Sequence, residues 1–242
     1  MAHNVPLRPL WIVPAIAIAV VACSSPKTPG RTGETGVFQP DQLFKSDVDR
    51  FSEAHYRALM ASLKVLAEKL YRRNPHEWHK GHWNQVDDPL NRLFASRHNW
   101  AFPELEGHTG VEAMRLALRP DYAGDRVFAL VAGMGGMLLA AFGGRDEQDM
   151  SDDLDPQKLY NAARNLEIVV WKLSNSKGPD GHLLLLTNEG GGVPNLSFER
   201  EFGKMIGNLD LLSTVVADKA NRTVIKILQN MATAVFLPVA IK

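Results

Sequence analysis

The stretch NPHEWHKGHW, residues 74–83, holds three of the chain's eight histidines and two of its five tryptophans. Neutral imidazole is a common zinc ligand, and residues three apart lie close together on a helix. His76 and His79 are therefore spaced to share a metal, with His82 able to turn toward them beyond Gly81. A zinc ion held there would make water a nucleophile, the chemistry of a metal-dependent hydrolase, with Asp87 or Asp88 as further ligands. The spacing also argues against this reading. In the zinc protease sequence H-E-x-x-H a glutamate base sits at a fixed offset between two histidines, whereas here Glu77 is followed by Trp78 and at once by His79. Other donors, His98 and His108, are scattered along the next thirty residues.

The same ten residues also read as a corner. Asn74 suits a helix N-cap, Pro75 the first helical position, and Glu77 the place from which a carboxylate reaches back to the cap's N–H. Gly81 suits the left-handed residue that ends a helix, and Trp78 and Trp83 are wedges against the fold. Elsewhere the chemistry is thin. His55 sits inside an apolar stripe, Glu104 and Glu106 are neighbouring acids without a cleft to serve, and NEGGGVPN lacks the lysine of a phosphate cradle. No nucleophile elbow or CxxC pattern occurs. No catalytic residue is assigned and no cofactor is expected, zinc entering only with the hydrolase alternative.

The elements that position these residues are helical. Phe44, Val48, Phe51, His55, Leu59, Leu63, Leu66 and Leu70 recur at steps of three and four, predicting a long amphipathic helix over 41–73. A second stripe runs Phe198, Phe202, Met205, Leu209, Leu212, Val216, Ala220, Val224, Ile227, Met231 and Val235. It predicts a helix over 196–236 that stops before Pro238. Between them, Asp88-Pro89, Thr109 to Glu112 and Asp155-Pro156 carry helix-start signals. The last is followed by Leu159, Ala162, Ala163, Leu166, Val169, Val170 and Leu173. Residues 127–142, VFALVAGMGGMLLAAF, have no charge but fall short of the ~30 Å of a hydrocarbon core, so they read as a buried central helix rather than a membrane-inserting segment. There Gly133, Gly136 and Ala140 permit close helix approach. Residues 178–192 suggest a small extended segment near 183–187. The expected fold is an all-α multi-helix bundle.

Residues 1–36 read as an address. A polar start with Arg8 precedes an apolar run from Trp11 to Val21, then Cys23, the only cysteine in 242 residues. Eleven apolar residues suit a secretory signal and are too few to span a bilayer. Val20-Val21-Ala22-Cys23 resembles the lipobox of bacterial lipoprotein precursors. The resemblance implies cleavage after residue 22, acylation of Cys23 with fatty chains such as palmitate, and, with Ser24 in place of aspartate, an outer-membrane destination facing the periplasm. Residues 23–36 follow as a Gly/Pro/Ser/Thr-rich tether of roughly 20 Å reach. Residues 37–242 remain as a single helical domain of about 205 residues, enough for one sizeable core.

Without residues 1–22 the chain carries 26 basic and 27 acidic side chains, a balance that speaks against nucleic acid or an anionic membrane surface as a charge-driven partner. The expected function is that of a membrane-anchored envelope lipoprotein with a non-catalytic scaffold, assembly or interaction role and an envelope protein as partner. The alternatives are the hydrolase at His76, His79 and His82, and a periplasmic carrier holding an apolar ligand between helices, a reading motivated by the glycine-interrupted segment 127–142 and the apolar tail AVFLPVAI.

Overall fold

The computed structural model describes residues 40–95, 98–144, 154–188 and 195–240, with side chains from Arg50 onward. The signal, Cys23 and the tether lie outside the described residues, as do the side chains of Phe44 and Val48 and most of NEGGGVPN. Residues Gln39–Lys242 form one compact unit that contains the whole apolar core.

The all-α expectation holds: seven α-helices and a short 3-10 turn are found among the described residues, and no strand. They are α1 (Pro40–Arg73), α2 (Pro75–Lys80), α3 (Asp87–Phe94), α4 (Gly110–Ala117), α5 (Arg126–Ala141), α6 (Pro156–Asn175) and α7 (Ser197–Lys219). The expected extended segment is reduced to one antiparallel bridge between Lys177 and Leu183.

α5 is the hub, packing on α1, α2, α3, α4 and α6, while α7 lies against α1 and α6. Every residue of α5 except Gly136 is buried, as the charge-free segment predicts. No described helix is long and apolar enough to cross a membrane. The glycines of α5 admit α4 and Trp100: a Cβ on Gly133 would stand 2.6 Å from the Met114 backbone nitrogen, and one on Gly135 would stand 2.3 Å from the Trp100 ring.

α1 buries Leu59, Leu63, Leu66 and Leu70, each worth about 1.5–3 kcal/mol relative to exposure. Its inner face differs from the expected stripe further up. Ser52 and Tyr56 are buried where Phe51 and His55 were expected, because a 3.6-residue repeat drifts off any fixed three-four pattern over a long helix. His55 instead meets Asn208 of α7 through its Nδ1. In α6, Asp155 caps as read, accepting from the Gln157 N–H at 2.9 Å. The other two start signals also mark helices, α3 and α4, but without the expected side-chain caps. Asp88 lies inside α3 and closes the preceding turn by accepting from Asn84 and Gln85, and the Thr109 side chain makes no cap bond while Glu112 pairs with Arg115.

The largest correction concerns residues 196–236. α7 ends at Lys219, and residues 222–240 run without helix along the bundle. The stop is a Schellman motif: Asn221 turns left-handed at φ 50°, its N–H reaches Asp218 O, and the Arg222 N–H reaches Ala217 O at 2.9 Å. Beyond it, α6 grips the extended strap with side-chain amides. Gln157 bonds both the N–H and the C=O of Ile225, and Asn165 does the same for Leu237 at 2.6 and 2.9 Å. Asn161 donates to Pro238 O, and the Tyr160 hydroxyl accepts from Ile227 N–H. Gln157 and Asn165 each copy the pairing of a neighbouring strand, so Ile225 and Leu237 find backbone partners without a sheet.

Candidate functional site

The histidine corner forms where α1 ends and α2 begins. α2 ends as α7 does, with a left-handed residue in a Schellman motif, but that residue is His82 at φ 57°. His82 N–H bonds His79 O and Trp83 N–H bonds Trp78 O. Gly81 has an ordinary φ of −76°. Its lack of a Cβ serves packing instead: a Cβ there would sit 2.2 Å from Trp83 Nε1 and 3.2 Å from Asp125 Oδ2. Trp83 lies over Phe128 at 5.6 Å, and Trp78 also packs against the core, so both tryptophans act as wedges.

His76, His79 and His82 are all exposed. His76 Nε2 lies 3.0 Å from Glu77 Oε1, and the His79 ring stacks on Trp78 at 3.6 Å. Among the described residues no group of three or more His, Cys, Asp or Glu side chains is arranged to hold a metal. The structure therefore does not bring the three histidines together. Asp88 is engaged with its own turn, His98 bonds Leu93 O, and His108 bonds Leu105 O. Glu104 pairs with Arg92 at 3.0 Å, and hydrogen bonding to that guanidinium holds its carboxyl below the usual range against the opposing effect of partial burial.

What the corner does build is a buried polar lock. Asn74 makes no cap bond as an N-cap. Instead its amide donates to Leu70 O and Leu186 O and accepts from Leu186 N–H at 2.7 Å. Glu77, fully buried, reaches forward rather than back, accepting from the Arg126 N–H at 2.8 Å and from Lys80 Nζ at 2.7 Å. The reason is positional: the Asn74 N–H is already bonded to Leu70 O. Arg126 turns its guanidinium onto the carbonyls of Ala117, Arg119 and Pro120, neutralising the C-terminal end of α4.

Asp125 caps α5 through the Phe128 N–H at 2.9 Å and accepts from the Tyr71 hydroxyl at 2.8 Å. Burial pushes its carboxyl up to about 7, outweighing those two bonds. Burial next to Asp125 likewise pushes the Tyr71 phenol far upward. A carboxyl titrating near neutrality has the value a general base would need. Asp125, however, lines neither of the two cavities described next, so a substrate has no route to it there. Its two hydrogen bonds tie α1 to the start of α5. Sequence reading missed both Asp125 and Arg126, although aspartate just before a long apolar run is itself an N-cap signal.

The larger cavity, about 730 Å³, opens between α4, α5 and the strap. Leu139, Ala140, Val111, Phe236, Leu237 and Val239 supply apolar walls, and Asn99, Thr109, Glu112 and Arg115 a polar side. The volume falls in the range of small-molecule sites. A second space of about 450 Å³ lies between α6 and α7, bordered by Trp171, Phe202, Ile206 and Met231. No protein-family model matches the chain, and neither a curated protein nor a solved structure matches it significantly.

Proposed function

We propose that this chain is a lipid-anchored cell-envelope protein whose helical unit serves as a non-catalytic scaffold or interaction module. The observation that carries the reading is Val20-Val21-Ala22-Cys23, with the chain's single cysteine at the acylation position and a tether-like sequence after it. Anchoring concentrates such a unit near its partners, so weak contacts suffice. The polar clusters support a non-catalytic role, because Glu77, Asp125 and Arg126 are spent on backbone groups inside the fold.

Labelled palmitate fed to a Gram-negative host is expected to enter the wild-type chain and not Cys23→Ser, with the wild type recovered in the outer-membrane fraction. An unlabelled wild type would remove the anchor. In-cell crosslinking that captures no specific partner would remove the interaction role.

A second reading is favoured by one observation. The cavity of about 730 Å³ is walled by the two segments named for the carrier alternative, α5 and the tail around Phe236. The ligand class would be an apolar molecule of lipid-like character. Ala140→Trp, which fills the cavity, is expected to abolish uptake of a fluorescent fatty acid, and a delipidated wild type that takes up none would end this reading.

A further inference from the structure

We propose that the strap segment Arg222–Val235 is a docking surface for an anionic lipid interface. Its polarity is unlike that of the rest of the chain. From Ala220 onward there are three basic side chains, Arg222, Lys226 and Lys242, and no acidic one, which leaves 24 basic and 27 acidic side chains before it. The near-neutral total hides this separation.

The strap also exposes large aliphatic side chains: Leu228 is 98 % exposed, Ile225 70 % and Val235 65 %. Single exposed apolar residues are common on protein surfaces, but a dense group in one segment points to an interaction. These residues are not loose chain. Ile225 is clamped by Gln157, Ile227 is bonded to Tyr160, and the Gln229 side chain bonds both the N–H and the C=O of Val235. The fold therefore holds the aliphatic side chains outward.

Arg222 and Lys226 are exposed, and among the described residues neither has an ion-pair partner. Cationic side chains interleaved with aliphatic ones, without acids, match a lipid interface. Their stems lie along the apolar layer, their heads meet phosphates, and the aliphatic groups enter below. A second copy fits less well, since two straps face to face would oppose Arg222 and Lys226 with their own like charges. The inference is independent of Cys23.

The test uses the unit Gln39–Lys242, which holds the complete core and lacks Cys23. It is expected to sediment with phosphatidylethanolamine–phosphatidylglycerol vesicles and not with phosphatidylcholine vesicles, and to detach as salt rises. Arg222→Gln with Lys226→Gln is expected to weaken binding roughly 25-fold, about fivefold per charge. Leu228→Ser should weaken it about tenfold through lost apolar burial. Because all three side chains are exposed, circular dichroism should show unchanged folding. No binding to the anionic vesicles, or binding indifferent to these substitutions, overturns the proposal. So does concentration-dependent self-association abolished by Leu228→Ser in a unit that ignores vesicles.

Discussion

α2 and α7 end in the same local geometry, a left-handed non-glycine residue at His82 and at Asn221, yet the chain that follows is treated in opposite ways. After His82 the chain turns inward, Trp83 lands on Phe128, and a network of buried charges surrounds the turn. After Asn221 it stays on the surface, held by neutral amides of α6 with its aliphatic side chains outside. The difference lies in what each segment meets. The corner faces the N-terminus of α5 and the carbonyls at the end of α4, where charges find backbone partners. The strap faces a helix flank, where Gln157, Asn161 and Asn165 follow one another at four-residue spacing and only hydrogen-bond pairing is on offer.

The contrast predicts that the corner responds to pH and the strap does not. The Asp125 carboxyl is raised from 3.8 in the unfolded chain to about 7 in the fold, so between these values the folded protein keeps a proton that the unfolded chain has released. Stability is therefore full below the lower value and falls as pH rises through the window, by about 1.4 kcal/mol per pH unit from this group. Summed over the window this is about 4 kcal/mol, the largest effect expected. Urea midpoints should show the fall in the wild type and not in Asp125→Asn, which keeps the capping oxygen. An equal slope in both would break the contrast.

Next in size is Glu77→Ala. It strips partners from the Arg126 N–H and from Lys80 and should cost about 3 kcal/mol, the lower end for a broken buried pair because Lys80 reaches solvent. Asn165→Ala unpairs the N–H and C=O of Leu237 and should cost about 2 kcal/mol. Its signature is new protease cleavage within the strap while the corner stays protected, and cleavage spread evenly would mean that the strap is not a separable element. Gln157→Ala, whose clamp is solvent-exposed, should cost under about 0.5 kcal/mol and leave the melting temperature nearly unchanged.

The bundle was legible because helical spacing survives without knowledge of neighbours. The stripe of α1, the charge-free run of α5 and the Asp155-Pro156 start of α6 each dictate a local structure that burial then rewards. The end of α7 was illegible for the same reason in reverse. Val224, Ile227, Met231 and Val235 keep a helical period, yet of these four only Met231 packs against the core, while Ile227 and Val235 are exposed. Asn221 was the available signal, a residue that accepts the left-handed conformation at a helix end. At the corner Gly81 drew attention away from His82, because a glycine can be required by a close approach as well as by φ.

The sequence alone determined the helical class, most of the inner faces of the helices, the expected address at Cys23 and the presence of three closely spaced histidines. Tertiary structure alone decided that those histidines form no metal-holding group among the described residues, that Asp125 is buried beside Tyr71, and that α6 amides hold an exposed strap. The physical reason is range. Periodicity and capping act within a few residues along the chain, whereas ligand convergence, desolvation of a carboxyl and pairing of a backbone segment depend on which distant residues the packed helices bring alongside.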